Sequence, residues 1–165
     1  MDKQIVVDYM KCTGCRLCEI ACSLREKEVF NLANARIRVR SFFPSIEIPT
    51  LCWRCEDPPC VGECPEDALE RTDFGVITVN RDLCTGCGIC KDACPAHAIF
   101  LTSEGYPLIC DLCGGQEMPR CVAICPSNAL EYRLELSAQK HRLVSPEERA
   151  EEMRGKIWGG GRESN

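Results

Sequence analysis

Sixteen cysteines in a chain of 165 residues fall into four sets of four with none left over. Cys12, Cys15, Cys18 and Cys22 follow the spacing C-x2-C-x2-C-x3-C, and Cys84, Cys87, Cys90 and Cys94 repeat it. Cys52, Cys55, Cys60 and Cys64 are looser by two residues in the middle. Cys110, Cys113, Cys121 and Cys125 leave seven residues between the second and third cysteine. Thiolates are ligands for soft metal centres. Three of them at three-residue intervals reach one metal group only if the backbone between them turns tightly. Gly14, Gly86 and Gly88 suit that turn and let amide N–H groups approach sulfur. Proline follows the last cysteine of the second, third and fourth sets, at Pro65, Pro95 and Pro126. Proline favours the first position of a helix, so a short helix is expected after each, swinging that cysteine away from its three neighbours.

Three chemistries use cysteine this heavily. A secreted disulfide scaffold would need an export signal, and Met1 to Asp8 carries neither a charged start nor a long apolar run. No stretch approaches the apolar length that spans a bilayer. A cytoplasmic location without membrane insertion is expected, where thiols stay reduced. Zinc prefers two separated C-x2-C pairs; the fourth set taken alone reads that way. The C-x2-C-x2-C-x3-C runs are instead those of cubane clusters, so the expected cofactors are four [4Fe-4S] clusters on all sixteen cysteines. There is no C-x3-C-x2-C run to leave an iron open for S-adenosylmethionine, no G-x4-G-K-S/T loop and no G-x-G-x-x-G turn. No catalytic site of the chain's own is expected, and a net charge of −5 argues against a nucleic-acid partner.

The elements that must position these thiols are short. Ile5 to Asp8 and Val76 to Val79 read as strands leading into a set, and Asp73-Phe74-Gly75 as a hairpin turn. After the second, third and fourth sets come Ala68/Leu69, Ala98/Ile99 and Ala129/Leu130, small apolar pairs suited to covering a metal group. Cys22 is followed by Ser23 rather than proline, so a helix through Glu19 to Lys27 is expected there. A 29-residue insertion then separates Cys22 from Cys52. Within it Arg36-Ile37-Arg38-Val39-Arg40 alternates like a strand, with its arginines either solvated or facing an acidic partner. Phe42, Phe43 and Ile46 are expected beneath that strand, and Trp53 against a metal group. Lys11, Arg16, Arg54 and Lys91 lie beside cysteines and are placed to raise a local potential. Ser145-Pro146-Glu147-Glu148 opens a charged helix running to about Arg154. Beyond it Trp158 precedes Gly159-Gly160-Gly161 as a loose end or a partner anchor. His97 and His141 read as surface residues.

The run Lys11-Cys12-Thr13-Gly14-Cys15-Arg16-Leu17-Cys18, the stretch Cys55-Glu56-Asp57-Pro58-Pro59-Cys60 and the Cys-Pro ends resemble the four-cluster ferredoxin subunits of the dimethyl-sulfoxide-reductase and formate-dehydrogenase type. The resemblance covers about residues 4–133. It implies an α+β fold of two ferredoxin-like halves related by pseudo-symmetry. One half is residues 1–50 with 104–133, carrying sets one and four and an insertion at 23–51. The other is residues 51–103, carrying sets two and three, and a charged tail with a short helix follows at 134–165. It also implies crossed ligand sets: Cys12, Cys15 and Cys18 with Cys125; Cys110, Cys113 and Cys121 with Cys22; Cys52, Cys55 and Cys60 with Cys94; and Cys84, Cys87 and Cys90 with Cys64. The compact length is similar to the small iron–sulfur subunit of bacterial tungsten aldehyde oxidoreductases, with formate dehydrogenase, hydrogenase and carbon monoxide dehydrogenase partners as rivals. The implied function is a relay of single electrons. It would run between a catalytic oxidoreductase subunit, of molybdenum- or tungsten-pterin type, and a second redox subunit or ferredoxin. The alternatives are a free polyferredoxin shuttle, a homo-oligomeric electron-conducting scaffold and a zinc-binding interaction module.

Overall fold

The computed structural model describes residues 3–25, 30–134 and 144–159. Regular structure comes in short pieces. Among the described residues, four two-stranded antiparallel ladders pair β1 (Lys3–Val7) with β8 (Leu130–Leu134), β2 (Arg38–Phe42) with β3 (Ile46–Thr50), β4 (Leu69–Arg71) with β5 (Ile77–Val79), and β6 (Phe100–Leu101) with β7 (Pro107–Leu108). The helices are α1 (Leu17–Ser23), α2 (Pro59–Gly62), α3 (Ile89–Asp92), α4 (Leu112–Gly115), α5 (Arg120–Ala123) and α6 (Pro146–Trp158). Cys113 and Gly114 inside α4 are left-handed, which makes it a tight turn more than a helix.

The ladders carry the chain from one cysteine set to the next. The expected turn at 73–75 joins β4 to β5: Thr72 N–H donates to the Val76 carbonyl at 2.8 Å, Gly75 N–H to the Thr72 carbonyl at 2.8 Å, and Gly75 has φ +71°. The next ladder uses the same device, which the sequence reading passed over. Thr102 N–H bonds the Tyr106 carbonyl at 2.8 Å, Gly105 N–H bonds the Thr102 carbonyl at 3.0 Å, and Gly105 has φ +87°. The shared Thr-x-x-Gly was the available signal. β1 and β8 close the chain on itself in the register Ile5 against Tyr132. Asp8 N–H extends that ladder to the Ala129 carbonyl at 2.8 Å, as Asn80 N–H extends the β4–β5 ladder to the Ala68 carbonyl at 2.8 Å.

Several expectations are corrected. The residues after Pro65, Pro95 and Pro126 form a turn and not a helix, because Asp67, His97 and Asn128 take left-handed φ values of +48°, +48° and +51°. The helical turns lie before the last cysteine instead, where α2, α3 and α5 carry Cys60, Cys90 and Cys121. α1 ends at Ser23, with Lys27 outside the described residues. Ile46 and Phe42 pack under the hairpin, but Phe43 at its tip is 87% exposed. α6 runs a turn beyond Arg154 and is no loose tail: its Ala150 and Met153 bury against Ile46 and Ile48. The expected cap holds, with Glu148 N–H on Ser145 Oγ at 3.2 Å and Ser145 N–H on Glu148 Oε2 at 2.9 Å.

Among the described residues apolar side chains gather in three places. Cys18, Ile37, Val39, Leu51, Cys121 and Leu130 form one cluster, and Cys60, Leu69, Ile77, Cys90, Ile99 and Ile109 form another. The third joins β3 to α6. Burial decides what holds the insertion down. Ile37 and Val39 each contribute about 2 kcal/mol by leaving water, whereas the exposed Arg40–Glu147 pair at 3.2 Å is worth under about 1 kcal/mol.

Candidate metal centres

Four small chambers are each lined by four cysteines. The first holds Cys12, Cys15, Cys18 and Cys125. Cys22, Cys110, Cys113 and Cys121 line the second. The third is bounded by Cys52, Cys55, Cys60 and Cys94, and the fourth by Cys64, Cys84, Cys87 and Cys90. Each takes three cysteines from one sequence set and the remaining one from another. The ladders cause the exchange: β4–β5 turns the chain back so that Cys64 meets the set after β5, and β1–β8 sets Cys125 beside the set after β1. Ala129 and Leu130 wall the first chamber, Ala98, Ile99 and Trp53 the third, and Ala68 and Leu69 the fourth. A wider cleft between β1 and α6, lined by Tyr9, Lys11 and Arg149 among others, contains no cysteine.

One backbone device recurs at every chamber. The residue just before the second cysteine of each set is left-handed: Gly14 at φ +69°, Arg54 at +55°, Gly86 at +71° and Leu112 at +54°. Glycine does this without strain, and a Cβ on Gly14 would stand 2.8 Å from Glu47. Arg54 and Leu112 are side chains forced into the same turn. Aligning the four sets on their second cysteine would have revealed both.

Amide N–H groups point at sulfur. Arg36 donates to Cys22 Sγ at 3.2 Å, Ala68 to Cys64 at 3.4 Å, Ala98 to Cys94 at 3.5 Å and Arg54 to Cys52 at 3.5 Å. Burial pushes the Cys18, Cys52 and Cys110 thiols up to about 12 and Cys60 to about 11, and nearby thiols act in the same direction. Bare thiols of this kind are protonated at neutral pH, which makes them poor nucleophiles. Binding a metal group here displaces those protons and supplies the positive charge that buried thiolates need. Cys125 differs: burial raises it, but N–H groups of Leu130, Ala129 and Ser127 and the Ser127 hydroxyl outweigh that and hold it below an ordinary thiol.

The donor set can be tested against the group. Among the described residues no three His, Cys, Asp or Glu side chains are arranged to hold a single metal ion. Four thiols spread around a small, largely apolar chamber fit a polynuclear iron–sulfur group, with sulfide inside the ring of ligands.

The chambers form a row. Cys18 of the first and Cys121 of the second share one core, and the Cys18 sulfur lies near enough to push the Cys121 thiol up. Cys110 of the second acts in the same way on Cys52 of the third, and Cys90 of the fourth on Cys60 of the third. Cys15 and Cys87, the two exposed cysteines, belong to the end chambers. Several of the basic residues singled out in sequence have partners within the chain. Lys11 pairs with Asp8 at 3.1 Å, Arg16 bonds Ser41 at 3.2 Å, Arg38 stacks on Phe100 at 4.2 Å and Arg40 meets Glu147. His97 is a surface residue 3.5 Å from Glu147, and His141 lies outside the described residues. Among the described residues no helix is long and apolar enough to cross a membrane.

A 4Fe-4S dicluster domain family matches residues 44–134, and a 4Fe-4S binding domain family matches residues 9–25. The aliphatic sulfonate oxidoreductase polyferredoxin-like subunit of Pyrococcus furiosus is 44% identical, over 73% of this chain and 70% of its own length. Electron transport protein HydN of Escherichia coli is 36% identical, over 88% of this chain and 98% of its own. Among solved structures, a chain of the active-site complex BamBC of benzoyl coenzyme A reductase aligns with a TM-score of 0.50 at 27% identity, covering 96% of this chain and 92% of that one. With its cysteine-lined chambers, its small mixed helix-and-strand fold and these relatives, the chain belongs to the 4Fe-4S dicluster-domain family and is an iron–sulfur electron-transfer protein carrying multiple [4Fe-4S] clusters.

Proposed function

We propose that the chain carries four [4Fe-4S] clusters, one per chamber, and works as the electron-relay subunit of a larger cytoplasmic oxidoreductase. The observation that carries this reading is the row of four chambers, each ringed by four thiols, with an exposed cysteine at either end. A bound cluster takes up and gives up one electron at a time. The protein's share is to fix each ring of thiols, to aim N–H groups at sulfur and to keep water off the middle of the row with Ala, Leu and Ile side chains. On this reading the ligand sets are the four chamber linings. The two halves are residues 51–103 and residues 1–50 with 104–133, and the segment 134–165 braces the insertion through α6.

The partner we propose is a catalytic subunit with a molybdenum- or tungsten-pterin centre, of the tungsten aldehyde oxidoreductase kind, exchanging electrons with a second redox subunit or ferredoxin through this chain. The names of the relatives as oxidoreductase or electron-transport components support a subunit role. Purification from the native host under anaerobic conditions tests it. A stoichiometric subunit containing molybdenum or tungsten is expected to accompany the chain. Recovery as a lone protein at every salt concentration would favour a free shuttle instead.

A further inference from the structure

Three of the four sets end in Cys-Pro, and the turns that follow are built alike. The N–H groups of Asp67, His97 and Asn128 close them on the carbonyls of Cys64, Cys94 and Cys125 at 3.3, 3.0 and 3.4 Å. The residue two places after the cysteine lines the chamber which that cysteine enters: Glu66 in the fourth, Ala96 in the third and Ser127 in the first. A methyl group cannot donate a hydrogen bond and an ionised carboxylate cannot either; a hydroxyl can. Ser127 Oγ lies 3.7 Å from Cys125 Sγ, within hydrogen-bond reach of sulfur. Among the described residues no other serine or threonine hydroxyl bonds a cysteine sulfur.

A thiolate bound to a metal group has given up its proton, so across this contact the hydroxyl must donate and the sulfur accept. Reduction adds negative charge to the group and its sulfurs. A donor aimed at one of them binds more strongly after reduction than before, which favours the reduced state. The effect comes from one dipole at one sulfur and does not depend on the sum of charges around the chamber. Ser127 is half-buried, which limits competition from water. It belongs to the turn of the fourth set, yet the sulfur it meets completes the ring of the first.

We propose that the Ser127 hydroxyl donates to the Cys125 sulfur and raises the reduction potential of the group in the first chamber. This rests on the cluster assignment above. The test is a redox titration of the anaerobically prepared holoprotein, followed by electron paramagnetic resonance. Ser127→Ala installs the residue that the third chamber already carries, so iron and sulfide content should be unchanged. One wave is expected to move to a more negative potential, and it should be the wave that Cys15→Ser, at another ligand of that chamber, disturbs. Ser127→Thr, which keeps the hydroxyl, should leave it close to its original position. Electron–nuclear double resonance of the reduced protein, in water and in deuterium oxide, should find one exchangeable coupling lost in Ser127→Ala and kept in Ser127→Thr. The proposal is overturned if Ser127→Ala moves no wave, moves a wave that Cys15→Ser leaves alone, or is matched by Ser127→Thr. Loss of iron in Ser127→Ala, or survival of the exchangeable coupling there, would overturn it too. A wild-type preparation lacking iron and sulfide altogether would overturn the cluster assignment itself.

Discussion

After Cys64 and Cys94 the chain turns at a proline and, four residues on, returns the N–H of Ala68 or Ala98 to the same sulfur. After Cys22 α1 ends without a proline, and the N–H on that sulfur comes from Arg36, fourteen residues away across the insertion. The same need of a buried sulfur is met once by a local turn and once by a tertiary arrangement. A local turn forms wherever its few residues fold. The long route holds only while Ile37 and Val39 stay buried, Glu19 holds Val39, and α6 presses on β3. The cysteine set without the Cys-Pro turn is therefore the one that depends on the rest of the molecule.

Four substitutions break or sharpen this contrast. Arg36→Pro removes the donor to Cys22 outright. It is expected to cost about 3 kcal/mol and to lower iron and sulfide by one cluster's share while the other three sites stay filled; full iron content would refute the dependence on Arg36. Met153→Ala leaves the cysteines alone but hollows the contact between α6 and β3. A loss of about 2.5 kcal/mol is expected, with hydrogen exchange rising across residues 36–50 and unchanged across 69–79. Arg25→Ala cuts the tie from the end of α1 to Asp111 beside Cys110, for a loss of about 2 kcal/mol in thermal unfolding of the holoprotein. Pro65→Ala acts on the local turn and should matter least. The lost rigidity of the unfolded chain is worth about 0.5 kcal/mol, and the ultraviolet–visible spectrum should be unchanged. A larger effect there than at Arg36 would invert the comparison.

Features that depend on near neighbours in sequence were legible before the structure. The four sets, the hairpin at 73–75, the cap at Ser145 and the covering pairs such as Ala98/Ile99 are all local, and each lies where spacing and turn chemistry put it. Legibility fell where tertiary context overrides a local preference. Cys-Pro read as the start of a helix, yet the left-handed Asp67, His97 and Asn128 close a turn that returns an N–H to sulfur. Arg54 and Leu112 occupy a conformation that propensity reserves for glycine, because the ring of thiols demands it. The arginines of β2 looked like an open surface, and their partners Phe100 and Glu147 lie too far along the chain for any pattern to announce. Phe43 looked like core because it is apolar, but the ladder from Phe42 to Ile46 leaves it at the tip.

The central claim is that four clusters sit in a row, each held by three thiols of one set and one of another. An anomalous difference map at the iron edge, from crystals grown without oxygen, tests it most directly. It should show four groups of about four irons each, with Cys94 Sγ bonded to the group of Cys52, Cys55 and Cys60, and Cys22 Sγ to that of Cys110, Cys113 and Cys121. Single metal ions at the four sites, or Cys94 bonded to the group of Cys84, Cys87 and Cys90, would contradict it.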